Sequence, residues 1–332
     1  WLLGFRRSGF RLDLAGSRTA RSASRRVVAD GLTYSVFLSW TGKKIGFALE
    51  AARRGHNMAF ASALGYEPAR SIYAWLDVLR SPEGGFSPHS TSAVDARGLS
   101  RTETSWQAGV RVRMSEQWTG TFTTRWRRRP SHLMDGPLSV VSILIASKPW
   151  PWLTMRIRAL DRREEPLAAC DADERVLRCT TVRRRQSLRL QLDYEHSRVL
   201  RHRFQVEASQ GSTLNDRARR GILLYKGVRW LVSPHLQIDG RILFFDVADY
   251  VARVYAYEND LLYSFSAPVY SGRGRRAYLL LRLAPHRNLT VQVKYSISAY
   301  EDAGGVGSGL DATLEPRRRD LRIQIRWKIG TQ

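Results

Sequence analysis

Eleven arginines fall at alternate positions of short runs whose intervening residues are mostly apolar. They are Arg111 and Arg113, Arg125 and Arg127, Arg156 and Arg158, Arg189, Arg201 and Arg203, and Arg322 and Arg326. A guanidinium stays charged at any working pH and presents forked N–H donors that match phosphate and carboxylate. A ring of such groups attracts anions, as basic rings do in anion pores. Fewer acids share these polar positions: Glu50, Asp77, Asp193, Glu207 and Asp239. Pairing therefore leaves positive charge over, which suits small anions, lipid phosphate at a rim, or a polyanion such as DNA.

Other groups that might support chemistry are sparse. Glu258, Asn259 and Asp260 interrupt an alternating stretch, Val254 to Phe265. They read either as an ordinary hairpin tip or as a segment folded inward against cationic walls, a candidate plug or gate. The two cysteines, Cys170 and Cys179, share one long connection, 162–184. They are too few for a disulfide scaffold and form no zinc motif. In an oxidising envelope they would close a loop of about ten residues, contributing roughly 2–3 kcal/mol, and that disulfide is preferred over two free thiols. Ser131, His132 and Asp135 lie close in sequence, but catalytic groups converge in space rather than along the chain. The chain has no nucleophile elbow, zincin helix, P-loop or dinucleotide fingerprint. Its seven histidines show no metal-ligand spacing. Neither a reaction nor a cofactor is expected.

The elements that carry these arginines alternate with a period of two. From Ser105 to Met114, Trp106, Ala108, Val110, Val112 and Met114 oppose Gln107, Arg111 and Arg113. In Gln117 to Arg128, Trp118, Phe122 and Trp126 oppose threonines and arginines, and Leu321 to Ile329 is the cleanest case. Successive strand side chains point to opposite faces, so each run has one apolar and one polar face. A chain built of such runs reads as all-β, an antiparallel transmembrane β-barrel with lipid outside and a polar lumen.

Sixteen strands are predicted: 2–14, 33–40, 44–54, 57–64, 70–80, 103–114, 117–128, 138–147, 152–161, 185–195, 198–208, 221–231, 235–246, 275–284, 288–299 and 319–329. Tight connections such as Ser115-Glu116 and His196-Ser197 alternate with long ones such as 129–137 and 209–220. This is the parity of short periplasmic turns and longer outer loops. Ten residues rising ~3.3 Å each and tilted about 40° cover roughly 25 Å, the height of an outer-membrane apolar band. Trp40, Trp118, Trp150, Trp152, Tyr194, Trp230, Tyr295 and Trp327 suit interfacial girdles, although several would equally serve a sandwich core.

Composition agrees with this reading. Hydrophobic residues make up 43% of 332, enough to exclude a disordered chain. The apolar run Leu138 to Ser147 is about half of what a spanning helix needs. The net charge is +24, with arginine outnumbering lysine 48 to 6, a bias that a GC-rich genome also produces. Trp1 is followed by no leader pattern, so residues 1–332 read as one barrel domain of a longer chain that lacks its N-terminus here.

Tyr257 to Phe265 (YENDLLYSF), Gly272-Arg273-Gly274 with Tyr278 to Arg282 (YLLLR), and Gly307 to Asp311 before a final alternating strand carry a resemblance. They resemble the C-terminal part of uncharacterised outer-membrane barrels of Bacteroidetes-like bacteria, over the last ~80 residues. The resemblance implies the barrel fold and the bacterial outer membrane, and names no reaction. Some members of that family carry helix-hairpin-helix DNA-binding segments before the barrel, and none is visible here. The ending Gly330-Thr331-Gln332 departs from the aromatic terminal residue common among barrels.

Three functions remain open. The first is a porin-like pore or transport component with an anion-attracting lumen. The second is a plugged barrel that anchors or assembles with an envelope partner protein. The third is a soluble, basic, all-β nucleic-acid-binding protein, which would interleave aromatics with basic residues on one face. For the first two, the expected partners are outer-membrane lipid and the barrel assembly machinery.

Overall fold

The computed structural model describes residues 2–7, 10–17, 21–23, 26–28, 33–54, 57–81, 103–128, 137–164, 183–213, 217–264, 266–301 and 316–328. The described residues fall into two compact units, one within 1–143 and 162–182, the other within 144–161 and 183–332. Cys170 and Cys179, with Ser131, His132 and Asp135, lie outside the described residues.

The first unit is an antiparallel meander. Its strands are β1 (Leu2–Arg7), β2 (Phe10–Ser17), a side hairpin of β3 (Arg21–Ala23) and β4 (Arg26–Val28), then β5 (Thr33–Thr41), β6 (Ile45–Arg54), β7 (Asn57–Ala69), β8 (Ile72–Ser81), β9 (Glu103–Arg113) and β10 (Trp118–Arg128). Each long strand pairs with the next, β2 passing directly to β5. The register carries Glu50, Ala61, Leu79, Ser105 and Arg127 along one row, and Ala48, Ala63, Asp77, Gln107 and Arg125 along the next. The opposite face exposes Leu49, Phe60, Leu64, Leu76, Val110 and Phe122. Strands β11 (Leu138–Trp150) and β12 (Leu153–Glu164) contribute residues to both units.

The second unit repeats the meander with β13 (Arg183–Glu195), β14 (Leu200–Thr213), β15 (Arg219–Ser233) and β16 (Leu236–Val247). After β16 come a 3-10 turn at Tyr250–Ala252, β17 (Val254–Tyr255) and β18 (Val269–Tyr270), which pair with each other. The meander resumes with β19 (Gly272–His286), β20 (Leu289–Tyr300) and β21 (Arg317–Trp327). β16 pairs directly with β19, with Val247 opposite Gly272. Leu190, Phe204, Leu224, Ile242, Leu279 and Ile323 are exposed on the apolar face, and their neighbours in sequence face the other way.

Two sequence expectations are corrected. The strand expected over 2–14 is a hairpin of two strands. The break expected at 65–69 is absent: β7 continues to Ala69, its register shifting between Tyr66 and Ala69. A bulge there admits Pro68, which offers no N–H to a ladder. The alternating stretch from Val254 onward, left out of the predicted strands, forms among its described residues the two-residue β17 and one bridge, Glu258 with Ser266.

Most of the aromatics expected in a girdle lie near strand ends. Trp150 and Trp152 stack at 5.1 Å beside a short turn, and Tyr194 meets Trp152 edge-on at 5.5 Å. Tyr295 is the exception, sitting in mid-strand on β20 rather than at an end.

Candidate functional site: a segment over the polar face and its ion pairs

Strands β15 and β16 break the apolar/polar alternation over part of their length. Their positions on the otherwise polar face are Leu223, Tyr225, Leu243, Phe245 and Val247, all buried. Apolar side chains on that face must be covered to remain out of water. The cover is the connection 248–271, whose Ala252, Val254, Ala256 and Tyr270 complete one cluster with them. This is a signal that a reading of alternation alone passes over: around Leu223 to Tyr225 and Leu243 to Phe245 both faces are apolar.

Backbone seats the first part of the segment. Ser209 Oγ donates to the Ala252 carbonyl at 2.5 Å. A Cβ on Gly211 would overlap the Val251 carbonyl, and one on Gly221 would crowd Ala252, so both glycines open the notch that the 3-10 turn occupies. Asp249 caps that turn by accepting the Val251 N–H. Arginines of the sheet then reach up to segment carbonyls. Arg185 Nη1 donates to Arg253 O at 3.3 Å, Arg189 Nη2 to Tyr255 O at 3.2 Å, and Arg241 Nη1 to Tyr257 O. Arg241 also lies over the Tyr225 ring, 4.0 Å from its centroid.

The acidic trio follows. Glu258 is 1% exposed and receives Arg276 Nε at 2.7 Å, Arg276 Nη2 at 3.1 Å and the Tyr270 hydroxyl at 3.0 Å. Lys294 Nζ lies 3.4 Å from Glu258 Oε2 and 3.2 Å from Asp260 Oδ2, and Asp260 also meets Arg322 at 3.4 Å. Asn259 Nδ2 donates to Asp239 Oδ1 at 2.8 Å. Beyond them, Leu262 is held through both backbone groups: its N–H donates to Gln292 and its carbonyl accepts from Gln324. Burial raises the Glu258 carboxyl, but Arg276, then Lys294 and Tyr270, outweigh that and hold it below the usual glutamate range. Burial pushes the Tyr270 phenol well up, and the charge of Glu258 adds to the effect.

The arginines singled out by sequence share the polar faces with the five acids but separate into two groups. In the second unit most of them meet a carboxylate. Arg189 binds Glu207 at 2.7 Å, Arg203 binds Asp193 at 2.5 Å beside Arg156, and Arg322 adds Asp320 to Asp260. Arg201 meets Glu195, and Arg326 lies over the Tyr263 ring at 5.7 Å. Arg158 stands next to Arg189 and Glu207. In the first unit, Arg125 donates to a neutral partner, Gln107, with Nε at 2.8 Å. Arg127 lines the same recess as Arg125, and Arg111 lines the adjoining one. Arg113 lies at the end of β9, opposite Thr119. Alternation alone does not single out Arg276, Lys294 and Arg229, which hold Glu258, Asp260 and Asp239. Lys294 is legible in hindsight, because Gln292, Lys294, Ser296 and Ser298 alternate cleanly. Arg276 is hidden by the leucine run that follows it.

No known protein family and no curated protein matches the chain in sequence. Solved structures do match its fold. The siderophore receptor PirA from Acinetobacter baumannii superposes with a TM-score of 0.50 at 9% identity, over 97% of this chain and 58% of that one. The fold is an antiparallel transmembrane β-barrel, of the class found in outer-membrane proteins. The outer-membrane protein OmpT of Vibrio cholerae (TM-score 0.49, 6% identity, 98% of this chain and 99% of that one) is similar. So is an anion-selective porin from Comamonas acidovorans (0.48, 8%, 89% and 92%).

Proposed function

We propose that the protein is a gated pore of the bacterial outer membrane, in which residues 248–271 obstruct an arginine-rich, anion-attracting lumen and their release admits small anions. The observation that carries this reading is the attachment of the segment. One end rests on apolar packing, while the other is held by carboxylates clamped between Arg276, Lys294 and Arg322. Ion pairs are the part of such an attachment that pH, salt or a competing anion can weaken. When Glu258 and Asp260 leave, the cations that held them remain on the wall, so opening and anion attraction are coupled.

Outer-membrane lipid surrounds the apolar face in this reading, and the barrel assembly machinery inserts the chain. The family of Bacteroidetes-like barrels that the C-terminal residues resemble belongs to the same proposal. A second reading is favoured by the buried apolar cluster under the segment: a permanently plugged barrel that anchors an envelope partner protein.

Planar-bilayer recording of the refolded chain under a salt gradient separates the two. Wild type should pass little current. The double variant Glu258→Gln with Asp260→Asn should show larger, anion-selective steps. Silence from both proteins, each shown to insert, would leave the anchor and discard the gate.

A further inference from the structure

The polar face of the first unit holds two recesses of about 460 and about 570 Å³ that share Ala48, Ala63 and Asp77. They exist because β6 and β7 place Ala48, Ala61 and Ala63 on this face, where larger side chains would fill the space. Along β8, Tyr73, Trp75 and Asp77 project to the same side. The two rings stack at 5.8 Å with 19° between their planes. A Cβ on Gly109 would overlap the Trp75 ring and one on Gly65 would meet the Tyr73 hydroxyl, so the sheet makes room for both. Tyr73 remains 41% exposed. Neither core packing nor lipid anchoring accounts for a half-open aromatic pair on the polar face.

Charge in the smaller recess is balanced. Glu50 and Asp77 stand against Arg125 and Arg127, in a chain whose formal charge is +24. Arg125 spends donors on Gln107, yet a guanidinium has five. The larger recess, which holds the aromatic pair, adds Lys43, Lys44 and Arg111 against Glu67, so the surround is rich in donors and acceptors beside an aromatic surface, which suits a solute that carries many hydroxyls. The volumes fall within the roughly 300–1,000 Å³ usual for small-molecule sites.

We propose that this double recess binds a neutral saccharide. Ring C–H faces lie against Tyr73 and Trp75, sugar hydroxyls donate to Asp77, and Arg125 donates to sugar oxygens. The site lies wholly in the first unit and does not depend on the gating of the second.

The test is calorimetric titration of the full chain, refolded in a non-glycosidic detergent, with neutral trisaccharides of glucose, galactose and mannose, and with glycine as a zwitterion. At least one trisaccharide should bind at roughly millimolar strength. Trp75→Ala should weaken it about tenfold, in keeping with the loss of one aromatic contact. Asp77→Asn should also weaken it, and Ala63→Phe, which fills the floor, should abolish it and serves if Trp75→Ala does not fold. Absence of heat from all three sugars overturns the proposal. So does binding indifferent to these variants, or binding of glycine in preference to the sugars.

Discussion

Arg276 grips Glu258 with two nitrogens, Nε on Oε1 at 2.7 Å and Nη2 on Oε2 at 3.1 Å. This is the forked geometry that makes an arginine–carboxylate pair directional as well as strong. The same guanidinium sends Nη1 to Ser298 Oγ at 2.7 Å, so its orientation is fixed by the sheet before the segment arrives.

Replacing Glu258 with glutamine removes a charge that buried Lys294 and partly buried Arg276 face. Breaking one side of a buried pair costs about 3–5 kcal/mol, because the other side is left uncompensated. The loss should appear as local opening: hydrogen exchange across 250–264 should speed up, while exchange in β14 and β15 stays slow. Unchanged protection in the segment would show that apolar packing alone holds it.

Acid should act through the same carboxylate. Glu258 titrates below the ordinary glutamate value of about 4.3, so its stabilisation is complete above that pH. It is lost as pH falls through the depressed folded value. Trypsin cleavage after Arg253, sampled by brief exposure after incubation at graded pH, should rise only below about 4.3. The Glu258→Gln variant should be open already and lack this step.

The glycine notch is tested by Gly211→Val. The added side chain meets the Val251 backbone, and overpacking of this kind typically costs about 1–3 kcal/mol. Exchange protection at 249–253 should fall, while heat-modifiable gel migration, the sign of an intact barrel, should be retained. A variant that keeps full protection would place the turn elsewhere.

Lys226 lies near the middle of β15 on the apolar face, beside Ile242. A lysine at the bilayer midplane destabilises a barrel by about 2–4 kcal/mol. Its approach to the Phe204 ring, 5.4 Å, offsets only part of that. Lys226→Leu should therefore raise the urea midpoint of folding into phospholipid vesicles. A lowered midpoint would mean that this stretch of the face meets something other than lipid.

Much of the meander was legible because alternation is a local property. Trp106 to Met114 and Leu321 to Trp327 show their faces without reference to any neighbour, and short turns such as His196-Ser197 fix where a strand reverses. What alternation conceals is pairing across the chain. Arg189 and Glu207 are visible as polar-face residues, but only the β13–β14 register makes them opposite. The segment was legible in its acids and not in its seat. Glu258 and Asp260 stand out as charges, whereas the Gly211 notch and the apolar positions Leu223 and Phe245 gain meaning only when 250–256 lies over them.

Val247 and Gly272 sit opposite each other in the ladder, one strand spacing apart. A tight turn of a few residues would join them as well as the whole intervening stretch does. Segment 248–271 is therefore an insert in a hairpin that closes without it, and no strand would change its partner if it were excised. Excision would keep the ladder but bare Leu223, Tyr225, Leu243, Phe245 and Val247, so the segment and the apolar patch beneath it can only be gained or lost together.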